Sequence, residues 1–440
     1  MVLSEVASAH LVDNIVLYQH RNDSMVQTSA SFRSDSPVTN NAISLSEVIS
    51  AFSYALDLAE GVVPGHALRS CLLGMRIAAE LDLCEQQTSS LYFALLLKDV
   101  GRGSIKRRVR ETAGRARIVN KLGLGHAATE AVRSLNEHWD GGGHPDALKG
   151  EQIPLLSRIC AVARHLDVVS SERGIARSIS TLIERSETWF DPELVHLVIS
   201  LHRRGDLWTD CLPSVSQEDL RRAVLDLDAG RHHTLESGRI DQICEAFAEI
   251  VDSKSHFTFR HSMGVADTAY GIARQMGLPS DRVQLVRRAA LLHDIGKLSL
   301  SNSILDKTTH LNEAEWNAVY EHPRLTRQIL ERVGAFREMA IIAGEHHEKL
   351  DGSGYPYRLM APDLSLESRI VAVADVYGAL SEDRPYRIGL ESRQIISILT
   401  KLAPKKLDGD CVDALLEILS EEPVVPLEPL AEETAAQFCA

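Results

Sequence analysis

No uninterrupted apolar stretch approaches the roughly 18 residues that a membrane helix needs, and the N-terminus lacks a basic region followed by an apolar core. A membrane span and a secretory leader are therefore not expected, and a cytoplasmic protein is. Cysteine is sparse: Cys71, Cys84, Cys160, Cys211, Cys244, Cys411 and Cys439 are widely scattered, odd in number and include no C-x-x-C pair. That excludes a disulfide scaffold and a zinc ribbon and reads as reduced, mostly buried thiols. Positive charge is in deficit, with 47 Lys+Arg against 61 Asp+Glu for a net charge of −14. On that balance neither nucleic acid nor an anionic membrane is expected as a partner, and an anionic ligand would need local cations. The rest is ordinary for a soluble globular chain: 440 residues, 44% apolar and 25% charged, enough for two or three domains at roughly 150 residues each.

The sequence repeats itself once. A constant offset aligns Phe52 with Phe247, Asp57 with Asp252, His66 with His261, Ile77 with Ile272, Leu83 with Leu278, Asp99 with Asp294 and Gly101 with Gly296. After a relative deletion in the first copy, a second offset aligns Asp140–Pro145 (DGGGHP) with Asp351–Pro356 (DGSGYP) and Ser157–Ala163 with Ser368–Ala374. Near the ends, Phe190–Val195 answers Leu407–Val412. Two copies of one domain are expected at 45–212 and 240–420. Residues 1–44, rich in Ser, Asn and Thr, read as a loosely ordered extension, 213–239 as a helical linker around Leu220, Val224 and Leu225, and 421–440 as a flexible tail.

Within each copy the dominant period is helical, and an all-α fold of two tandem helical bundles follows. His261, Val265, Thr268, Ile272 and Met276 mark one helix, stopped by Gly277 and Pro279. Ser280 or Asp281 should cap the next, whose face is Val286, Ala289, Ala290 and His293. Asn312 with Glu315 announces a third, disturbed at His322-Pro323. Met339, Ile342, Ala343 and His346 mark a fourth, and Ile370, Val373, Ala374 and Tyr377 a fifth.

Those apolar faces carry His261, His293, His322, His346 and His347 together with Asp294 and Asp375. One histidine on such a face is usually a hydrogen-bonded core residue, but seven polar groups in one bundle would cost several kcal/mol unless they shared a partner. A metal centre satisfies them together. Imidazole and carboxylate without thiolate suits Fe, Mn, Zn or a similar ion rather than Ca. Seven ligands exceed the need of one tetrahedral ion, so two ions bridged by a carboxylate are expected, with Asp294 the natural bridge.

The second copy resembles the HD-GYP family of HD metal-dependent phosphohydrolases. The resemblance rests on FRHSMGVA at Phe259–Ala266, HDIGK at His293–Lys297, His322-Pro323, HHEKLDGSGYP at His346–Pro356 and ADVYGALSEDRPYR at Ala374–Arg387. It implies bacterial second-messenger signalling through hydrolysis of a cyclic dinucleotide, with cyclic di-GMP placed first and 3′3′-cyclic GMP-AMP second. His261, His293, Asp294 and Asp375 match the ligands of one divalent transition metal, Fe or Mn, and Asp294, His322, His346 and His347 those of another. Two such ions lower the pKa of a bridging water and clamp a phosphate oxygen. Lys297 matches a catalytic, phosphate-binding lysine, and Arg384 and Arg387 match residues that meet the substrate phosphates. Asp351, Gly352, Gly354, Tyr355 and Pro356 form the signature loop. A sensor or interaction module with negligible turnover is the alternative of another class.

Two departures stand out. Phe257 occupies the place of a glutamate that binds a third metal in some members, which counts against efficient hydrolysis of the linear product. Gly378 stands where many relatives have aspartate. The first copy keeps His66 and Asp99, but Lys98, Leu135, Asn136 and Arg164 replace ligands, so no catalysis is expected there. Asp140–Pro145 keeps the loop shape, and Arg102, Lys106, Arg107, Arg108, Arg110, Arg115, Arg117 and Lys121 crowd basic charge around the one acid Glu111. A regulatory ligand or protein partner at this copy, a scaffold role for it, and a homodimer of the chain are all left open.

Overall fold

The computed structural model describes residues 43–100, 108–228, 235–254, 261–382 and 389–421. Most of the N-terminal extension, the tail beyond Glu421, Phe257, Arg384, Arg387 and the basic residues Arg102, Lys106 and Arg107 lie outside them. The fold is all-α: among the described residues, extended pairing is limited to isolated bridges between Ser186 and Phe190 and between Asp351 and Met360.

The first copy runs α1 (Leu45–Glu60), α2 (His66–Ala79), α3 (Glu85–Leu97), α4 (Arg108–Lys121), α5 (His126–Arg133), α6 (Leu155–Arg173), α7 (Ile175–Glu184) and α8 (Pro192–Arg204). After α9 (Gln217–Asp226), the second copy runs α10 (Ser237–Asp252), α11 (His261–Gln275), α12 (Ser280–Leu292), a 3-10 turn at Ile295–Ser299, α13 (Asn302–Leu305), α14 (Glu313–Tyr320), α15 (His322–Leu330), α16 (Arg337–Gly344), α17 (Leu366–Ser381), α18 (Ser392–Leu402) and α19 (Gly409–Glu421).

Local chemistry accounts for most boundaries. Gly277 ends α11 region in the left-handed conformation, at φ 75°. Asn312 Oδ1 accepts from Glu315 N at 2.9 Å while Glu315 Oε2 accepts from Asn312 N at 2.7 Å, the reciprocal cap that starts α14. The chain then breaks at Glu321 before Pro323. The expected cap of α12 differs: Ser280 is already helical, Pro279 holds the cap position, and no side chain caps the helix.

The linker segment is integrated rather than suspended. Leu220 and Val224 of α9 are fully buried against α1 and α2, and the Tyr92 hydroxyl donates to Val224 O at 3.3 Å. The two copies meet through their first helices. Beyond its own copy, α1 packs on the Ile295–Ser299 turn and on α15, while α10 packs on α4. Phe52 and Phe247, related by the repeat and both fully buried, bring their ring centroids to 4.2 Å. Equivalent residues in mutual contact are what a two-fold homodimer interface produces; here the arrangement lies within one chain.

Candidate metal centre

Each candidate ligand sits at a helix end or on a fully buried face. His261 opens α11, whose first turn is held by Asp252 at the end of α10: the carboxylate accepts from Ser262 N at 3.1 Å and Ser262 Oγ at 2.7 Å. His293 and Asp294 follow α12, His322 opens α15, His346 and His347 follow α16, and Asp375 lies on α17. The turn after Asp294 is locked to α15. Thr326 Oγ1 accepts from Gly296 N at 3.0 Å and donates to His293 O at 2.8 Å. A Cβ at Gly296 would stand 2.0 Å from His322 O, so glycine is required for that approach.

These elements bring all seven side chains together. Asp294 Oδ2 faces His293 Nε2 at 3.3 Å and His261 Nε2 at 3.9 Å, whereas Oδ1 faces His322 Nε2 at 3.2 Å and His346 Nε2 at 3.7 Å. One carboxylate thus presents its two oxygens to two sets of imidazoles. Asp375 Oδ1 lies 3.5 Å from His261 Nε2 and 3.7 Å from His293 Nε2, and its Oδ2 lies 3.3 Å from His347 Nδ1.

Backbone contacts orient three of the rings. His293, His322 and His346 each donate Nδ1–H to the carbonyl three residues earlier, at 2.7, 2.5 and 2.6 Å. In the neutral form of each ring, Nε2 is therefore the atom that carries the lone pair. The Nε2 atoms of His322 and His346 face each other at 3.2 Å. His293 Nε2 and Asp294 Oδ1 are buried without a hydrogen-bond partner, because the atoms nearest to them are acceptors too. Acceptors converging on acceptors in a buried site are satisfied by cations, and backbone-oriented imidazoles are how proteins aim metal ligands.

The two carboxylates and the rings of His346 and His347 have the charge states of metal ligands. Burial works against charge on Asp294 and Asp375, but His293 and Lys297 around the first, and His261 and His347 around the second, hold both well below the usual carboxylate range. Burial and the facing rings of His347, His293 and His322 push His346 well below the imidazole range, and burial lowers His347 to about 4. Against burial, the carboxylates of Asp375, Glu382 and Asp294 raise His261 to about 9, and those of Asp294 and Asp375 raise His293, so ions bound here would displace protons from those two rings.

The signature loop is built on a residue that the sequence reading passed over. Glu348, 2% exposed, accepts from Tyr357 N at 2.7 Å and Leu359 N at 3.0 Å and so folds the chain around its carboxylate. A Cβ on Gly354 would meet Glu348 Cα at 2.4 Å. Asp351 accepts from Ser353 N at 3.0 Å, and Gly352, at φ 75°, completes that turn beside it, so both shape the loop. Tyr355, followed by Pro356, packs its ring on His347 and Tyr320, with centroids at 4.7 and 4.6 Å. Lys297 Nζ reaches Asp294 Oδ2 at 2.6 Å and is 21% exposed, placing an ammonium between the cluster and solvent.

The sequence matches the HD domain family over residues 110–194 and 245–411. The chain belongs to the HD domain family. It is 35% identical to the 3′3′-cGAMP-specific phosphodiesterase 3 of Vibrio cholerae, across 87% of this chain and 96% of that protein. It is 41% identical to the cyclic di-GMP phosphodiesterase response regulator RpfG of Xanthomonas campestris, across 33% of this chain and 39% of that protein. Among solved structures, a cyclic GMP-AMP specific phosphodiesterase of V. cholerae superposes with a TM-score of 0.66 at 33% identity, covering 87% of this chain and 99% of that one.

The first HD copy has the same corner filled differently. His66 Nε2 lies 3.0 Å from Asp99 Oδ2 and its Nδ1 lies 2.5 Å from Asp167 Oδ2. Lys98, fully buried, puts Nζ 2.9 Å from Asp99, and Arg164 Nε approaches the same carboxylate at 3.2 Å. Arg69 Nε meets Asp167 at 2.5 Å. The HD loop nonetheless persists: Glu137 accepts from Asp146 N at 2.7 Å and Leu148 N at 3.0 Å, the same pair of bonds as Glu348. Among the described residues no helix is long and apolar enough to cross a membrane.

Proposed function

We propose that the chain is a metal-dependent phosphodiesterase that opens a cyclic dinucleotide to the linear dinucleotide at its second HD copy. The observation that carries this reading is the convergence of unpartnered imidazole and carboxylate acceptors on the two oxygens of Asp294. His261, His293, Asp294 and Asp375 would hold one divalent ion, and Asp294, His322, His346 and His347 a second. The nitrogen and oxygen donor set suits Fe or Mn. Ions held there supply an acidified water and positive charge for a phosphate oxygen.

The chain's own residues do the remaining work. Lys297 Nζ, at the edge of the cluster, binds a non-bridging phosphate oxygen and holds a proton that the departing ribose oxygen takes up. Arg384 and Arg387, three residues apart just beyond α17, would pair with the phosphates and supply the local cations that a chain of net charge −14 otherwise lacks. Tyr355 keeps the imidazole of His347 in place by packing.

Between substrates, cyclic GMP-AMP is favoured over cyclic di-GMP. The relative that aligns along nearly its whole length, and so includes the first copy, is named for cGAMP, whereas the cyclic di-GMP enzyme of Xanthomonas aligns over a third of the chain. Protein purified anaerobically with Mn or Fe and given each dinucleotide separately should yield linear product, faster from cyclic GMP-AMP. Linear product from neither, with metal bound, would leave the reading of a sensor without turnover.

A further inference from the structure

The repeat exposes a carboxylate that has changed its place in the chain. In the first copy, Asp167 on α6 accepts from His66 Nδ1 at 2.5 Å and is itself gripped by Arg69, through Nε at 2.5 Å and Nη2 at 3.3 Å. Under the repeat, Asp167 corresponds to Gly378, Arg69 to Gly264 and Ser171 to Glu382. The second copy therefore has glycines in place of the aspartate and its arginine, and a glutamate one helical turn later, at the end of α17.

That glutamate reaches the same atom. His261 Nδ1 donates to Glu382 Oε2 at 2.7 Å. Room for it comes from the two glycines. A Cβ at Gly264 would stand 3.6 Å from Glu382 Oε1, so any longer side chain there would compete for the space of the carboxylate. A Cβ at Gly378 would already press on Val265 Cγ2 at 3.0 Å and lie 3.5 Å from His261 Cε1. In the first copy the residue matching Val265 is the smaller Ser70.

The consequence for His261 lies on the opposite side of its ring. With Nδ1–H committed to Glu382, Nε2 is the ring atom left to face the cluster, and it points between Asp375 and Asp294, at 3.5 and 3.9 Å. Whereas His293, His322 and His346 donate Nδ1–H to backbone carbonyls, His261 donates it to a side chain, which orients the ring instead. We propose that Glu382 is the positioning residue of His261, performing in the second copy the task that Asp167 performs on His66 in the first. The inference rests on the metal-centre reading above and extends it to a residue outside the proposed ligand set.

The test is a Mn(II) titration of the full chain, reading the affinity of each bound ion directly, with secondary structure checked by circular dichroism. Glu382→Ala should weaken one ion by about 10–100-fold, the usual effect of removing the partner of a ligating histidine, and leave the other within a few-fold. Glu382→Gln keeps an oxygen that accepts from Nδ1–H and should hold that ion far better than the alanine variant. Two ions bound by Glu382→Ala as tightly as by the wild type would overturn the proposal, as would an alanine-like loss in Glu382→Gln with its helix content intact. Turnover is not the readout: wild-type protein that loads Mn(II) yet hydrolyses no dinucleotide would end the phosphodiesterase reading while the titration still decides the role of Glu382.

Discussion

In the first copy Asp99 is enclosed by Lys98, Arg164 and His66, and Asp167 by Arg69 and His66. In the second copy Asp294 and Asp375 stand in the matching corner among five histidines, with Lys297 as the neighbouring fixed cation. Three side-chain cations thus neutralise the first cluster from within, whereas the second leaves lone pairs facing lone pairs. Both copies keep the glutamate-centred loop and the helix that presents the first histidine. The fold is thus kept around a corner whose carboxylates are met by the chain's own cations as well as around one built of candidate metal ligands, and a buried carboxylate accepts either kind of cation.

The sharpest way to break this contrast is to neutralise the two equivalent aspartates. Asp294→Asn removes the acceptor shared by both sets of imidazoles. Turnover should fall by well over a hundredfold, since even residues outside the ligand set cost 10–100-fold, and metal content should drop on elemental analysis. Full activity in that variant would refute the bridging assignment. Asp99→Asn should act on stability instead. It strands fully buried Lys98 beside Arg164, and breaking a buried pair costs about 3–5 kcal/mol. Denaturant unfolding should register that loss while the surviving folded protein turns over normally. A normal midpoint would mean that the internal ion pairs do not hold the first copy together.

Much of this contrast was legible in the residues. The repeat, the helical period and the clustering of His261, His293, His322, His346, His347, Asp294 and Asp375 follow from spacing, because a 3.6-residue period places such residues on one buried face. Lys98 and Arg164 were visible as replacements, but their pairing with Asp99 was not, since charge compensation across α2, α3 and α6 depends on how the helices pack. Glu348, Asp252 and Glu382 went unassigned for a related reason. Each acts on backbone or on a ring nitrogen through a contact that no period encodes. Phe52 and Phe247 were aligned as equivalents, yet nothing in the alignment tells that equivalents touch.

A smaller, paired effect would sharpen the comparison at the loops. Glu348→Gln and Glu137→Gln each keep one acceptor and turn an amide donor toward a backbone N–H. Both should cost about 1–3 kcal/mol, the price of an unsatisfied buried group. Only the first should also lower turnover, by about tenfold if its loop holds Tyr355 against His347. Equal losses of turnover in both variants would mean that the first copy's loop shapes the active one.

The smallest effect on turnover is expected at His66, the one candidate-ligand histidine that both copies share in the same place. His66→Ala removes a ring bonded to two carboxylates, but Asp99 keeps Lys98 and Arg164 and Asp167 keeps Arg69, so the loss of stability should be on the order of 1–2 kcal/mol. Turnover should stay within a few-fold. The measurement must be made well below the unfolding transition, because α1 packs on the turn that carries Lys297 and a loosened first copy would disturb the second through that contact. A variant that remains folded, keeps its metal and still loses all turnover would place His66 in the chemistry. Since His66 is hydrogen-bonded on both ring nitrogens and has no lone pair to offer, that result would overturn the division of labour between the copies.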